Sequence, residues 1–221
     1  MTIQKDCADF LRQTYSNNSG GKLRAGHAHE LTAAYFGYAS AAALRSEAAY
    51  PLTALDEGEI LIPNIPLMEQ RMQQLDGLPS GLPDATELAS NLSNFLVSTD
   101  RFSGETWHTD KLETYIEETF IPARSAEIED DLTGEMAETN AYFDELYVEE
   151  VTLSPGNDDL IATVSGHLNG ENDPDRPFSG DSIEFTTTVT FERVAGRTAY
   201  TRPKLSTSGA VDDKDYYDDA D

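Results

Sequence analysis

The sequence predicts an α+β fold: a helical N-terminal half, then a four-stranded antiparallel β-meander, then an acidic C-terminal tail. Three observations predict it. Apolar residues in the first half recur at helical spacing, beginning with Ile3, Cys7, Phe10 and Leu11. Beyond residue 140 the period falls to two. In Ser182–Arg193, Ile183, Phe185, Val189 and Phe191 point one way, and Glu184, Thr186, Thr188, Thr190 and Glu192 point the other. Turn-forming residues separate the later runs at strand-like intervals, as hairpins require.

In chain order, the first amphipathic helix meets the polar run Ser16-Asn17-Asn18-Ser19-Gly20-Gly21, which stops it. Leu23 to Phe36 reads as a second helix closed by Gly37. Ser40 can cap a third, short helix through about Ala49, before Pro51. Residues 50–66, with Pro51, Gly58, Pro63 and Asn64, form an irregular connection. Pro66 suits the first turn of a helix running to about Leu75. Gly77, Pro79, Gly81 and Pro83 make a rigid turn. Asp84, with Glu87 three residues on, caps a helix to about Val97 whose apolar face is Leu88, Leu92, Phe95 and Leu96. Thr109 or Asp110 can cap another helix carrying Leu112, Tyr115, Ile116 and Phe120, ended or kinked by Pro122. An acidic helix over 123–138 follows. Tyr142–Leu153 and Leu160–Leu168 flank a Ser-Pro-Gly-Asn-Asp hairpin signal. A long polar loop, Asn169–Gly180, precedes the Ser182–Arg193 strand, and Ala195-Gly196 turns it into a fourth strand, Thr198 to Thr207. No internal repeat is visible. The chain therefore divides into a helical element at 1–50, a helical region with the acidic helix at 51–138, a sheet region at 139–209 and an acidic tail at 210–221.

Hydrophobic content of 38%, with ten Tyr, nine Phe and one Trp, is enough for a core in a chain of 221 residues. Cys7 is the single cysteine, so no intrachain disulfide and no cysteine-based zinc site can form. The N-terminus lacks the apolar run of a signal peptide, and no stretch of about 18 apolar residues occurs, so the reading is a cytoplasmic protein. The formal net charge is -26. Between Lys111 and Leu160 fifteen Asp/Glu face two bases, Lys111 and Arg124, whereas the first sixty residues hold seven acids and five bases. Such a field repels nucleic acid and anionic membrane and attracts basic surfaces. Salt-loving organisms also make acidic, lysine-poor proteins, and this chain has five Lys. Genome-wide salt adaptation would spread the charge evenly, however, and here it is concentrated.

Few residues read as catalytic. His27 and His29 flank one residue beside Glu30, which puts the imidazoles about 200° apart on a helix, so they cannot chelate one ion from it; a capping role for one of them is the expectation. Trp107-His108-Thr109-Asp110 places an aromatic ring, an imidazole and a carboxylate together, as a core tryptophan and helix start or as a site for general-base chemistry. His167 lies in a predicted strand. Asn172-Asp173-Pro174-Asp175 with Asp181 resembles a calcium loop in composition but not in spacing. Phosphate-binding glycine loops, nucleophile elbows and dinucleotide fingerprints are absent.

The acidic run carries more. If 123–138 is one helix, Glu127, Asp131, Glu135 and Glu138 form a stripe with neighbours about 6 Å apart. Like-charge pairs there destabilise the helix by a few tenths of a kcal/mol each, and Gly134 by about 1 kcal/mol relative to Ala. A row of carboxylates offers a groove of Lys and Arg what a row of phosphates offers. Glu113, Glu117, Glu149 and Glu150 are the next contact candidates, Tyr142, Phe143 and Tyr147 are candidate aromatic anchors, and the threonine face of Ser182–Arg193 is a second docking surface or a plain solvent face.

Leu23 to Leu44 reads LRAGHAHELTAAYFGYASAAAL. Its His27-Ala28-His29-Glu30-Leu31, Ala33-Ala34, Phe36-Gly37-Tyr38 and Ser40-x-x-Ala43-Leu44 are similar to a short helix-turn-helix-like element of uncharacterised proteins from bacterial plasmids and integrative elements. The resemblance covers about a tenth of the chain and implies gene neighbourhood rather than an activity. Charge and implied context together lead to the expectation of a non-enzymatic, cofactor-free binding protein. It would occupy the basic surface of a nucleic-acid-binding host defence complex, such as a CRISPR effector or restriction enzyme, as a nucleic-acid mimic of anti-CRISPR or antirestriction type. A halophilic small enzyme or ligand-binding protein with a site near His108 and Asp110, and a structural or regulatory protein of a conjugative element, are the alternatives.

Overall fold

The structure, a computed structural model, describes residues 2–139, 141–172 and 181–212. The fold is α+β, and the chain forms two compact units: Met1–Asp110 with Glu192–Arg202, and Lys111–Phe191 with Pro203–Asp221.

The first unit is built on helices α1 (Ile3–Ser19), α2 (Ala25–Tyr35), α3 (Ala41–Ser46), α4 (Ile65–Gln74) and α5 (Ala85–Ser98). Local signals set most of their ends. Thr2, Ser40, Asn64 and Asp84 each accept a backbone N–H from the first turn that follows. The run Ser16–Ser19 stays helical, and the stop comes at Gly20, whose φ is 67°. Helix α3 ends at Ser46, three residues before the expected point, because the Glu47 carboxylate accepts the Ala49 and Tyr50 N–H groups and turns the chain. At the end of α2 the Tyr38 N–H reaches the Ala33 carbonyl and the Gly37 N–H reaches that of Ala34, with Gly37 at φ 82°. This two-bond closure requires a left-handed residue, here supplied by glycine.

Helix α2 is the centre of this unit. Every residue from Leu31 to Phe36 is buried, and α1, α3 and α4 pack around it. Phe10 of α1 stacks on Phe95 of α5 at 4.4 Å between centroids. Cys7 faces the same core and is fully buried, which pushes its thiol up to about 12. Two short strands were not expected from the sequence: β1 (Ile60–Leu61), inside the connection read as irregular, and β2 (Glu105–Thr106), which runs parallel to it. Neither has the length that a periodicity signal needs.

The second unit starts with helix α6 (Leu112–Tyr115), which lacks the side-chain cap expected from Thr109 or Asp110; Lys111 occupies the cap position. The next turn widens, with the Ile121 N–H reaching back to the Ile116 carbonyl. Pro122 follows; it has no N–H to donate and needs room for its ring. The acidic segment is two helices, α7 (Ser125–Asp131) and α8 (Thr133–Glu138), broken at Leu132, whose φ and ψ are -96° and 10°. The Thr133 hydroxyl donates to the Asp130 carbonyl at 2.7 Å, a bond that bends helices, and Gly134 weakens the next turn.

Strands β3 (Ala141–Pro155) and β4 (Asp159–Asn172) form the expected hairpin, closed by the Gly156 N–H on the Asp159 carbonyl. The first residues of the expected Asn169–Gly180 loop continue β4, and the rest lies outside the described residues, as do Asp173 and Asp175 of the calcium-like segment and most of the acidic tail. Strand β5 (Ser182–Ala195) alternates as expected, with Ile183, Phe185, Val189 and Phe191 buried. The expected fourth strand divides into β6 (Ala199–Tyr200), which pairs with the end of β5, and β7 (Lys204–Val211), which pairs with its beginning. Pro203 stands between them, and without an N–H it cannot continue a ladder. The four-stranded meander is thus corrected to a mixed seven-stranded sheet in the order β2-β1-β6-β5-β4-β3, with β7 on β5 and one parallel pair, β1 with β2.

Gly37→Ala should lower stability by about 1–2 kcal/mol, because the residue is left-handed and an added Cβ would meet the Arg197 Cβ at 2.8 Å. Gly26→Ala, in the first turn of the same helix with open space around it, should be neutral or mildly stabilising. Urea unfolding of both variants checks the contrast.

Candidate partner-binding surface

The acidic residues singled out from the sequence all belong to the second unit. Its helices cover one face of the β3-β4-β5-β7 ladder. Ile116, Phe120, Ile121, Ile128 and Leu132 are buried, with Phe120 6.3 Å from Phe191 between centroids and Leu132 against Gly209. The opposite sides of α6–α8 therefore face outward. Glu113, Glu117, Glu127, Asp131 and Glu138 are exposed there, and Glu135 is half-buried.

They do not form the straight stripe expected of one helix. The break at Leu132 bends the row, and two members have local partners. Glu127 pairs with Arg124, which also lies over the Phe120 ring. Asp131 accepts the Thr207 N–H at 3.0 Å. Among the described residues β7 pairs with β5 alone, so Asp131 blunts an open sheet edge. Its carboxylate has a structural reason to be where it is.

Glu149 and Glu150 stand on the other face of the sheet, so the eight candidates fall on two opposite faces of the unit. Strand β3 carries two register shifts against β4, between Phe143 and Glu145 and between Val148 and Glu150. Each inserts one extra residue. The exposed row of β3 then reads Tyr142, Asp144 with Glu145, Tyr147, Glu149 with Glu150, and Thr152. Phe143 points to the half-buried side, whereas Tyr142 is 72% and Tyr147 45% exposed. The Tyr147 hydroxyl donates to Glu145 at 2.7 Å, and its ring stacks on His167 at 5.1 Å. The Glu145 hydrogen bond and charge hold this phenol above the usual tyrosine range. His167 Nδ1 is in turn 3.0 Å from Glu149. Of the threonine face of β5, Glu184, Thr186 and Glu192 are exposed and Thr188 and Thr190 half-buried, while Thr187 lies on the buried side and meets Thr207 at 2.9 Å between hydroxyls.

The histidines of the first unit are placed differently. His27 and His29 are half-buried within α2, and neither caps it; the cap position is Arg24. The neighbouring Glu30 pairs with Arg71 at 2.6 Å. His108 Nε2 lies 3.0 Å from the Ser93 hydroxyl, which also meets the Tyr35 hydroxyl at 2.8 Å and donates to the Ala89 carbonyl at 3.0 Å. Ser93 is 2% exposed and Tyr35 fully buried, so this trio ties α2, α5 and the chain after β2 together, with His108 at its exposed end. Burial drives the Tyr35 phenol far up, and partial desolvation of the exposed imidazole pulls His108 below the usual histidine value. Asp110 is exposed and outside this network. No group of three or more His, Cys, Asp or Glu among the described residues is arranged to hold a metal ion, and no helix among them is long and apolar enough to cross a membrane.

The chain matches no family model, no curated protein and no solved structure.

Asp131→Ala should reduce stability by about 1 kcal/mol through loss of the Thr207 contact, while Glu138→Ala should change it by less than about 0.5 kcal/mol; chemical denaturation distinguishes them. The folded state binds a proton at His108 more weakly than the unfolded chain does. That contribution to stability is whole above the usual histidine pKa and is lost as pH falls through it toward the depressed folded value. His108→Gln should therefore flatten the fall in melting temperature between pH 7.5 and 5.5, measured beside the parent protein.

Proposed function

We propose that this protein is a non-enzymatic acidic binder that occupies the basic, nucleic-acid-binding surface of another protein. The observation that carries this reading is the outward side of α6–α8 in the second unit. From Lys111 to Glu138 nine acids face two bases. A solvated surface needs some charge, but not this excess of one sign at a cost in helix stability. A concentrated anionic face speeds encounter with a cationic one and competes with nucleic acid for it. The likeness of residues 23–44 to proteins of plasmids and integrative elements suggests a host defence complex as the target, so an anti-CRISPR or antirestriction role is the specific form of the proposal.

The test is displacement of labelled DNA from purified CRISPR effector complexes and restriction enzymes. Displacement should weaken as salt rises from 0.05 to 0.5 M. Glu113→Gln, Glu117→Gln, Glu135→Gln and Glu138→Gln combined, which leaves the bonded Glu127 and Asp131 in place, should slow association about tenfold at low salt. Displacement that is unaltered by this variant would remove the helix layer from the binding surface, and absence of displacement across the panel would end the nucleic-acid-mimic reading.

A further inference from the structure

The exposed row of β3 has a regular construction that the acidic helix layer lacks. Tyr142-Phe143-Asp144-Glu145-Leu146 and Tyr147-Val148-Glu149-Glu150-Val151 share one five-residue pattern: tyrosine, apolar, acid, glutamate, apolar. A plain strand with a five-residue pattern would turn successive tyrosines to opposite faces, because side chains alternate with a period of two. Here each unit contains one bulge, so both tyrosines and both acid pairs come to the same outer face.

The register against β4 sets the spacing. Tyr142, Glu145, Tyr147 and Glu150 lie opposite Glu171, Asn169, His167 and Ser165, which are successive alternate residues of β4. The four stations are therefore about 6.7 Å apart, two strand residues each. Tyr147 is held in position by its Glu145 hydrogen bond and by His167 against one side of the ring, yet remains 45% exposed. Tyr142 and Tyr147 are, with Val97, the exposed large apolar side chains among the described residues. Beyond the row is an edge: among the described residues β3 is bonded to β4 alone. The bulges make that edge a poor template for regular strand addition, and a second copy of this chain would bring like charge against like.

We propose that the outer row of β3 is a docking strip for an extended segment of a partner protein that carries arginine at alternate positions. This rests on the acidic-binder reading above and names the element of the partner it grips. Alternate side chains of an extended chain repeat at the same spacing as the stations. Arginine suits both kinds of station: its planar guanidinium lies over a tyrosine ring and also meets a pair of carboxylates with several donors at once. Lysine offers a point charge without the planar fork, and a helical or clustered basic segment has the wrong spacing.

The probes are three fluorescein-labelled peptides: Arg-Thr-Arg-Thr-Arg-Thr-Arg, its lysine counterpart, and a block isomer of the same composition, Arg-Arg-Arg-Arg-Thr-Thr-Thr. Anisotropy titration of the full chain at 0.1 M salt should give at least fivefold tighter binding of the alternating arginine peptide than of either control. Tyr142→Ala with Tyr147→Ala should weaken it about tenfold. Tyr142→Ala alone alters a side chain that is 72% exposed and should weaken it severalfold with an unchanged circular dichroism spectrum. The helix-layer variant with four Glu→Gln changes should bind the peptide as the parent does. Equal binding of all three peptides, no binding, indifference to the tyrosines, or loss in the helix-layer variant would each overturn the assignment. DNA displacement that persists while the tyrosine variants are indifferent would refute the strip and leave the acidic-binder reading standing; failure of displacement altogether would remove the ground of both.

Discussion

Mutual repulsion among carboxylates is the condition this molecule must satisfy wherever its chain is compact. With so large an excess of one sign, acids cannot simply be scattered at random over the surface. Many are given a donor close at hand. Asp84 takes a helix N–H, Glu47 two turn amides and the Tyr38 hydroxyl, Glu59 the Arg202 N–H, and Asp131 the amide of an edge strand. A carboxylate that accepts such bonds keeps its charge while stabilising the backbone around it. The Tyr38 hydrogen bond, first among several, holds Glu47 below the usual glutamate range. Scarce bases are used in a similar way, lying over aromatic rings: Arg124 on Phe120, Arg193 on Tyr50 and Arg197 on Tyr38.

The two units meet this condition differently. In the first, α2 is enclosed by other helices and fifteen acids are set against ten bases, so apolar burial dominates. In the second, one helix layer and one ladder share a core of moderate depth, and the acids are left on the outward sides of both layers. Acid-bearing surfaces and core surfaces are thus separated within a segment of about a hundred residues, and a change on the outward side need not disturb the inward one.

The helices of the first half were legible because their signals are local. Ser40, Asp84 and Gly37 each fix an end through bonds that span a few residues. Strand β5 was legible because its alternation runs for ten residues. The short strands β1 and β2 were not, since two residues carry no period and their pairing is decided by chain segments far apart in sequence. The acidic segment reads as one continuous helix in the sequence because periodicity does not record the bond from Thr133 to Asp130, which competes with the helix. On the candidate surface, acid identity and exposure could be read in the sequence, but their division between two faces could not. The pattern in β3 escaped for a related reason: its five-residue unit fits neither a helix nor a regular strand, and makes sense only once the bulges are known.

The buried thiol of Cys7 has a practical consequence. A cysteine with so high a pKa is almost wholly protonated at neutral pH, and it is the thiolate that attacks alkylating reagents. Since it is also the sole sulfhydryl in the chain and sits in the core around α1 and α2, its modification rate acts as a chemical clock for opening of that core.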